Sequence, residues 1–554
     1  MNGRPGGLLR GFWLPALVAG GATWTAFPPL DLGSAPAVLG WALLLLSMRL
    51  RRGKAAGRQA LLAALVVFLA GLHWISPLVT AGWIFVAAWC AAFEGLFGWW
   101  VGRTLLRRDG PPHVGWVLAA PLAHLAFDLV RTVLLTGFPW LLVGYAGWRN
   151  PVLLGSADLV GVHGATLALL TLAAGLAELV ARTLEGRRWW TPLLPAAGVW
   201  AACGAWALAK GPVVERPGPV VALLQADIPQ RLKEQLLSSG EEPMDTEAWW
   251  RRHEELAARA REEARRRGVT VDAFVWPETM VPSVALRPFV PGETVEAVVQ
   301  VDGEGRRSPL VARRVAATAR GAVSLAGIQT FEPLESEADR VRKWNTVLLL
   351  GPEGAYLGHQ DKQHLTPGGE YVPYLHLLPF RQALLDALEE FAGFVIDMEA
   401  GAGPRLLEVP GGSGPSRAGV LICYESAFPE LSREMVAEGA DWLLNASNYG
   451  WFAGTAQMEQ ALAMACFRSA ELRRSLVLAS NNGISAVIGP DGTPRAFAED
   501  AQGRRVDVPA ALVAEVPLAA GAGPFTAWGE LPAWLLGAGG LLACLVLARR
   551  GRSA

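Results

Sequence analysis

The sequence predicts a polytopic α-helical membrane domain joined to an α/β domain, and three observations support this fold class. First, 52% of the 554 residues are hydrophobic and only 18% are charged, whereas soluble proteins have about 25% charged residues. Second, long apolar runs are confined to residues 1–212 and 527–554. Third, residues 213–526 contain short apolar runs separated by charged helical stretches. These features exclude a disordered chain, a collagen-like fibre and a simple soluble enzyme.

The two apolar regions contain about eight runs long enough to span a bilayer, which requires about 20 mostly apolar residues. Their centres lie near Leu17, Leu43, Val66, Ala88, Leu122, Leu170, Gly198 and Gly539. The chain has 23 Trp but only 6 Tyr residues, and indole rings are typical anchors at membrane interfaces. The first run lacks a clear small-residue cleavage site and is followed by further spans, so we interpret it as a membrane helix rather than a cleaved signal peptide.

Basic residues mark the loops that are expected to face the cytoplasm. They lie before the first span, in every second loop and after the last span, at Arg4, Arg10, Arg51, Arg52, Lys54, Arg58, Arg103, Arg107, Arg108, Arg182, Arg187, Arg188, Arg549, Arg550 and Arg552. Alternate loops such as 27–33 and 76–80 contain neither Lys nor Arg, and Arg149 is the exception. Both termini are therefore predicted to be cytoplasmic. Because an odd number of spans precedes residues 213–526, this domain is predicted to face outward.

The outward-facing domain alternates short apolar runs with helical stretches, which predicts an α/β layered core. Val220–Gln225 is a nearly continuous apolar run, typical of a strand buried on both faces. Residues 247–267 are rich in Ala, Glu and Arg and predict an exposed helix. Residues 271–275 and 419–422 are further strand-like runs. In sheets of this kind, functional residues tend to lie just beyond strand ends.

Three polar residues occupy such positions, and each has a structural alternative. Glu278 follows Trp276-Pro277, a stiff backbone that aims its carboxylate, but it could equally be an acid in a surface turn. Lys362 lies in a loop, where most lysines are simply solvated. Cys423 ends an apolar run and opens toward a helix, where backbone N–H groups stabilise a thiolate. Its alternative is an inert buried thiol.

Taken together, the three residues predict a thiol enzyme. A thiol nucleophile needs a base for its proton and a positive donor for the developing oxyanion. Glu278 and Lys362 would supply both to Cys423 without a histidine. The sequence contains no Cys-x-x-Cys pair and no His cluster of ligand spacing, and its five Cys argue against a disulfide framework. We therefore expect no metal and no cofactor, and the net charge of −1 argues against nucleic acid as a partner.

The motifs around these residues resemble the Glu-Lys-Cys signature of the nitrilase, or carbon–nitrogen hydrolase, superfamily. They are Trp276-Pro277-Glu278, Asp361-Lys362-Gln363-His364-Leu365, Pro367-Gly368-Gly369-Glu370-Tyr371-Val372-Pro373 and Cys423-Tyr424-Glu425. Further matches are Asn345-Thr346, Asn448, Trp451-Phe452, Arg468 and Asn481-Asn482-Gly483. The resemblance implies a nitrilase-like αββα sandwich in which Glu278, Lys362 and Cys423 are catalytic.

The membrane part resembles the apolipoprotein N-acyltransferase family. The matching motifs are Phe27-Pro28-Pro29 with Asp31, His73-Trp74, and Gly137-Phe138-Pro139-Trp140 with Gly144-Tyr145. Tyr449-Gly450, Ala461 and Gly368 depart from the residues common in that family. The resemblance implies a seven-helix transmembrane domain at 1–212, an extracytoplasmic catalytic domain at 213–526, and a final transmembrane helix with a basic cytoplasmic tail at 527–554. The membrane would be the bacterial inner membrane.

The same resemblance implies a reaction. An acyl chain would move from the sn-1 position of a phospholipid such as phosphatidylethanolamine to the α-amine of the diacylglyceryl-cysteine of an apolipoprotein. The intermediate would be a thioester on Cys423, which predicts ping-pong kinetics. The partners would be the phospholipid donor and the diacylglyceryl-modified apolipoprotein, and the reaction would be the last step of bacterial lipoprotein maturation.

The resemblance also implies supporting or substrate-binding residues. Glu370 would support Lys362, and Tyr424 with Glu425 would line the site. Asn345 is a further supporting position. Aromatic residues would form lipid-facing walls or, alternatively, interfacial anchors; they are Phe138, Trp140 and Trp451.

Two other functions remain open on the sequence. A membrane-tethered amidase that hydrolyses a small amide would use the same three residues, with water as the acyl acceptor. A transporter or scaffold with a degenerate sensing domain would not need them, but transporters tend to contain internal repeats, and no clear repeat occurs here. Asp128 and Arg131, three residues apart in one span, predict an ion pair or a contact to a lipid headgroup.

Overall fold

The structure of the chain, a computed structural model, describes residues 13–106, 112–187, 190–229, 246–301, 304–333, 341–374, 379–380, 398–452 and 454–550. The chain forms two compact units. We call the first the helical unit; it comprises Met1–Pro212, Thr455–Glu471 and Ala522–Ala554. We call the second the sandwich unit; it comprises Val213–Gly454 and Leu472–Gly521.

The first part of the helical unit is built from apolar helices. They are α1 (Trp13–Trp24), α2 (Ser34–Leu50), α3 (Ala56–Gly71), α4 (Thr80–Val101), α5 (Trp116–Val133), α6 (Pro151–Gly155), α7 (Ala157–Val160), α8 (Val162–Leu184) and α9 (Leu194–Ala209). In the described residues, five helical segments are long and apolar enough to cross a membrane, namely Thr80–Leu106, Trp116–Thr136, Val162–Leu184, Thr191–Ala209 and Leu531–Arg549. The predicted helical membrane part is thereby confirmed, while the total of about eight spans stays a prediction.

Small residues let the apolar helices approach closely, as is usual for helices that pack in a membrane. At Gly98 in α4, an added Cβ would lie 2.6 Å from the Ala60 Cβ and 2.8 Å from the Ala56 carbonyl oxygen of α3. Ion pairs hold other helices together. Glu178 of α8 accepts hydrogen bonds from Arg49 of α2 at 2.9 Å and from the Trp116 indole of α5 at 3.0 Å.

The sandwich unit contains two main sheets and three described helices. Its strands are β1 (Glu215–Arg216), β2 (Val220–Gln225), β3 (Ala273–Trp276), β4 (Val284–Leu286), β5 (Ala297–Val301), β6 (Glu304–Ser308), β7 (Val323–Pro333), β8 (Val341–Leu350), β9 (Tyr356–Asp361), β10 (Leu406–Val409), β11 (Ser416–Ile422), β12 (Trp442–Ser447), β13 (Leu476–Ser480), β14 (Ala486–Ile488), β15 (Pro494–Phe497), β16 (Ala510–Glu515) and β17 (Leu518–Ala519). Its helices are α10 (Thr246–Arg267), α11 (Leu310–Ala319) and α12 (Pro429–Ala437).

The two sheets have parallel centres and antiparallel edges. The first has the order β16-β2-β3-β7-β4-β5-β6, with β8 paired to β7 and β9 paired to β8; the second has the order β10-β11-β12-β13-β14-β15. β2, β3 and β7 run parallel to one another, as do β11, β12 and β13. The register pairs Ile422 with Ala446 and Ser447 with Ser480. The carboxyl ends of β11, β12 and β13 therefore lie side by side at one edge.

Apolar cores define the layers of the sandwich. The core between the sheets includes Val275 of the first sheet and Val420 of the second. Another core joins the outer face of the first sheet to α10 and α11, through Phe274 among others. On the outer face of the second sheet, Gly419 leaves room for α12, because a Cβ there would lie 2.8 Å from the Met435 Cβ. This helix–sheet–sheet–helix order confirms the predicted αββα sandwich.

Three helices in the last part of the chain belong to the helical unit. They are α13 (Gln457–Leu472), except for its last residue, α14 (Pro524–Trp528) and α15 (Leu531–Arg550). In sequence, α13 connects β12 to β13 of the sandwich unit, so this insertion returns the chain to the helical unit between two neighbouring strands. The sequence did not indicate this grouping.

Candidate active site

Three strand ends deliver the predicted catalytic side chains. Glu278 follows β3 and Lys362 follows β9 in the first sheet, and Cys423 follows β11 in the second. Cys423 begins a short 3-10 helix, Cys423–Ala427, and has a left-handed φ of 56°. Such a backbone is strained for a residue with a side chain. The turn therefore fixes the direction of the thiol instead of letting the strand continue.

Glu278 is a buried carboxylate rather than a surface acid, since only 7% of the residue is exposed. Its Oε1 accepts a hydrogen bond from the Asn345 side-chain amide at 2.7 Å. Its Oε2 accepts one from the backbone N–H of Asn448 at 2.8 Å. The Lys362 ammonium lies 3.6 Å from Oε1. These donors hold the carboxylate in one orientation.

Lys362 is almost fully buried, with 1% exposure, so it is not the solvated loop lysine of the sequence alternative. Its Nζ lies 2.8 Å from Glu370 Oε2 and donates to the Thr366 hydroxyl at 3.3 Å. Burial opposes the charge, but the Glu370 and Glu278 carboxylates outweigh it and raise the pKa of Lys362. The side chain is therefore a permanent cation at neutral pH.

Cys423 faces both of these groups. Burial, followed by the nearby Glu278 charge, raises the pKa of the Cys423 thiol above its usual value, while Lys362 acts in the opposite direction. The resting sulfur is therefore protonated at neutral pH. The Glu278 charge acts on the thiol, and a general base must lie within reach of the proton that it removes.

Glu370 is the counter-charge of Lys362. Its Oε1 accepts from the same Asn345 amide that binds Glu278, at 3.1 Å, and its Oε2 accepts from the Thr366 backbone N–H at 2.8 Å. Burial acts to raise the pKa of Glu370. Lys362 and the hydrogen-bond donors act in the opposite direction and outweigh burial, so the pKa of Glu370 is lowered. Asn345 therefore spaces two carboxylates around one ammonium.

Glu425 joins the lysine loop to the cysteine turn. Its Oε1 accepts from the backbone N–H groups of Gln363 at 2.6 Å and His364 at 2.9 Å, and its Oε2 accepts from Ile422 at 2.7 Å. Burial raises the pKa of Glu425 to about 7, against the lowering effect of these donors and Lys362. One carboxylate thus fixes both loops relative to each other.

The aromatic residues of the prediction occupy different places. In the sandwich unit, Tyr424 is half-buried and packs edge-on against Phe428 with 5.0 Å between ring centres, and Trp451 is half-buried in the short helix Gly450–Phe452. In the helical unit, Trp140 is only 3% exposed and stacks on the half-buried Phe138 with ring centres 5.7 Å apart. A lipid-contacting role for these residues stays a prediction.

Sequence reasoning missed two contacts of the predicted catalytic residues, although Asn448 was itself named as a match to the family. The backbone N–H of Asn448 binds Glu278, and the signal was available, since Asn448 directly follows β12 at the same sheet edge as Cys423. The Thr366 hydroxyl accepts from Lys362, and nothing in the sequence distinguished it from other loop threonines.

In the described part of the chain, one group of side chains has the composition of a metal site. Glu94, His124 and Asp128 of the helical unit place ligating atoms within 4.8 Å of one another. However, the two His124 nitrogens face Glu94 at 3.0 Å and Asp128 at 3.5 Å, and Asp128 also forms the predicted pair with Arg131 at 3.2 Å. Both nitrogens of His124 and the Asp128 carboxylate are therefore already engaged by neighbouring side chains.

The comparisons with known proteins cover both units. The carbon-nitrogen hydrolase family model matches residues 220–517, and the model of the apolipoprotein N-acyltransferase N-terminal domain matches residues 19–175. A solved structure of Saccharomyces cerevisiae Nit3, a member of branch 10 of the nitrilase superfamily, is 16% identical and covers 55% of this chain and 91% of its own, with a TM-score of 0.34.

Two curated relatives match most of the chain. The apolipoprotein N-acyltransferase of Geobacter metallireducens is 28% identical over 555 residues, which are 97% of this chain and 95% of the relative. The apolipoprotein N-acyltransferase of Pseudomonas aeruginosa is 32% identical over 510 residues, which are 88% of this chain and 87% of the relative. The chain therefore belongs to the apolipoprotein N-acyltransferase family.

Proposed function

We propose that this chain transfers an acyl chain from the sn-1 position of a phospholipid, phosphatidylethanolamine in particular, to the α-amine of the diacylglyceryl-cysteine at the N-terminus of apolipoproteins. This is the last step of bacterial lipoprotein maturation. Family membership supports lipoprotein N-acylation in general. The observation that carries the chemistry is the meeting of a buried carboxylate, a buried ammonium and a thiol at Glu278, Lys362 and Cys423.

In the first step, Glu278 accepts the thiol proton of Cys423, and the sulfur attacks the ester carbonyl of the donor. Lys362 stabilises the oxyanion, because a fixed cation in a buried site acts strongly on developing charge. The ester C–O bond breaks, and the leaving lysophospholipid oxygen takes the proton back from Glu278. The products are an acyl thioester on Cys423 and a lysophospholipid.

In the second step, the α-amine of the acceptor attacks the thioester carbonyl and Glu278 takes a proton from the attacking nitrogen. The C–S bond breaks, the sulfur regains a proton and an amide remains. No ATP is required, since the ester and the thioester are already activated acyl donors. The first product leaves before the second substrate reacts, so ping-pong kinetics follow.

The apolar helices explain why such an enzyme would remain in the bilayer. Withdrawing an acyl chain from a membrane costs about 0.8 kcal/mol for each CH₂ group, and an enzyme embedded in the bilayer avoids most of that cost. Family membership supports the bacterial inner membrane as the location, and from the loop charges we infer that both termini lie in the cytoplasm. The catalytic domain lies within residues 213–526, on the outer face, between seven helices at 1–212 and a final helix at 527–554. Residues Thr455–Glu471 and those from Ala522 onward belong to the helical unit.

The mechanism is tested by incubating the purified full chain with phosphatidylethanolamine vesicles alone and measuring its intact mass. We expect a mass increase of one acyl chain on Cys423, which disappears when a diacylglyceryl peptide is added and is then acylated. Cys423→Ala should acquire no adduct, whereas Cys203→Ala, a half-buried cysteine in α9, should acquire it normally. Release of free fatty acid without acylated peptide would instead favour the amidase-type hydrolysis that uses water as acceptor.

A further inference from the structure

In α13, the side-chain amide of Gln460 forms four hydrogen bonds within the helical unit. Its Oε1 accepts hydrogen bonds from the Trp74 indole at 3.1 Å and the Trp140 indole at 2.9 Å. Its Nε2 donates to the carbonyls of Gly71 at 2.9 Å and Pro28 at 3.3 Å. A glutamine amide offers two acceptor sites and two donor hydrogens, so every one is engaged. The residue is only 4% exposed.

The partners of Gln460 come from separate segments of the helical unit. Pro28 lies between α1 and α2, Gly71 ends α3, Trp74 lies in the short helix His73–Ile75, and Trp140 lies beyond α5. One side chain therefore joins α13 to the ends of several apolar helices. Loss of its amide would leave two indole N–H groups and two carbonyls buried without these partners, an unfavourable state.

The two indoles belong to an aromatic cluster, which we define as Trp74, Phe138 and Trp140. The Trp74 and Trp140 ring centres are 5.5 Å apart, and Phe138 stacks on Trp140. Arg131 holds the backbone of the same turn by donating to the carbonyls of Phe138 at 3.0 Å and Trp140 at 2.9 Å. Arg131 thus fixes the main chain of this turn, while Gln460 orients the indole rings.

The position of the aromatic cluster points to a lipid as the molecule that binds near it. It follows the ends of the apolar helices α3 and α5, where indole rings are typical of the boundary between acyl chains and water. Phe138 is half-buried and so presents part of the cluster outside the core. The α13 helix that bears Gln460 continues from the loop after β12, in which the Asn448 N–H binds Glu278.

We propose that Gln460 is a positioning residue for the lipid donor. Its amide holds the aromatic cluster and α13 in the arrangement that lets the enzyme use a donor with a long acyl chain. Gln460 does not contact the reacting atoms. The inference rests on the proposed phospholipid donor, and it predicts a defect that depends on the substrate. Chemistry on a short soluble ester needs Glu278, Lys362 and Cys423 but no lipid recognition, so it should survive the loss of the amide.

The test compares two acyl donors in the full-length chain. One is phosphatidylethanolamine in vesicles, and the other is p-nitrophenyl butyrate, whose nitrophenolate burst reports acylation of Cys423. The variant is Gln460→Leu, which removes all four hydrogen bonds at similar volume. The matched control is Gln457→Leu on the same helix, where the buried Gln457 Oε1 accepts no hydrogen bond from the described residues. A cooperative thermal transition well above the assay temperature establishes that each variant is folded under the assay conditions.

We expect Q460L to lower kcat/KM for phosphatidylethanolamine by about tenfold, the scale on which buried hydrogen bonds act. Its nitrophenolate burst should stay close to that of the parent, and Q457L should match the parent with both donors. W74F and W140F, which each remove one indole donor, should have smaller effects on the same donor. Combining W140F with Q460L should add little, because the two changes remove one shared contact.

Two results would overturn the inference. The first is a Q460L chain that uses phosphatidylethanolamine as well as the parent does. The second is an equal loss with both donors, which would make Gln460 a structural residue only. Failure of the proposed function has a different signature: the parent chain itself would give the nitrophenolate burst but no acyl-Cys423 from the phospholipid.

Discussion

At the residue scale, the position of Glu370 shows how one ammonium and two carboxylates coexist in one buried site. Lys362 lies 2.8 Å from Glu370 but 3.6 Å from Glu278. The closer carboxylate therefore balances most of the lysine charge, and Glu278 is left available to the Cys423 thiol. A single carboxylate would have to serve as both counter-ion and base.

This balance predicts the effect of Glu370→Gln. Without its near counter-charge, Lys362 should pair with Glu278, and proton transfer from Cys423 should slow. We expect the rate of acyl-Cys423 formation to fall by about 100-fold, the usual size of a general-base contribution. Glu399→Gln is the matched control, since the Glu399 side chain is exposed and pairs with Arg342 rather than with Lys362. A rate within twofold of the parent would contradict this account of the charge balance.

The Glu425 carboxylate predicts a pH dependence of stability. Burial raises the pKa of Glu425 in the folded chain to about 7. Between the ordinary pKa of a glutamate and this value, the folded state keeps a proton that the unfolded state has already released. The stability contribution of this group is therefore complete below about pH 4 and is lost as pH rises through about 7.

Thermal midpoints of the parent chain and Glu425→Gln, measured from pH 5 to pH 8, check that sign. The glutamine cannot titrate, so the thermal midpoint of the parent should fall relative to that of Glu425→Gln as pH rises. A difference that stays constant over this range, or that moves in favour of the parent, would show that Glu425 does not titrate there.

At the element scale, close packing of α3 against α4 depends on the absence of a side chain at Gly98. We expect Gly98→Val to destabilise the helical unit by about 1–3 kcal/mol, as overpacking of a tight interface does. The matched control is Gly204→Val in α9, where an added Cβ meets nothing within 4 Å. Thermal unfolding in detergent measures both, and equal midpoints for the two variants would contradict the role assigned to Gly98.

The α13 insertion shows how an element can belong to one unit by sequence and to another by packing. Its helical periodicity between two buried strands is typical of an ordinary crossover helix in a layered sheet. The hydrogen bonds of Gln460 go instead to Pro28, Gly71, Trp74 and Trp140 of the helical unit. Local sequence cannot reveal this choice, because the pattern of the helix is the same in both cases.

At the scale of the whole molecule, the loop charges predict that the sandwich unit faces outward and that the loop between α2 and α3 faces the cytoplasm. A cysteine introduced at Glu293, which is exposed in the sandwich unit, should react with a membrane-impermeant maleimide in intact spheroplasts. A cysteine at Lys54, exposed between α2 and α3, should react only after permeabilisation. The unmodified chain gives the background from native cysteines. The reverse labelling pattern would invert the proposed topology.

The sequence by itself determined the two-part architecture and the three strand-end residues. Apolar length and composition act locally, so helices such as α4 and strands such as β11 can be recognised where they occur. Glu278, Lys362 and Cys423 could be found because each directly follows such an element, and their motifs resemble a known signature.

Tertiary structure decided which contacts surround those residues. Asn345 bridges two carboxylates, Glu425 binds two loops, and Gln460 binds an indole 386 residues away along the chain. The physical reason is that a hydrogen bond depends on the position of its partner in space, whereas apolar periodicity records only that a face is buried. Burial follows from neighbours along the chain, but the partner of a buried polar group is chosen by the packing of distant segments.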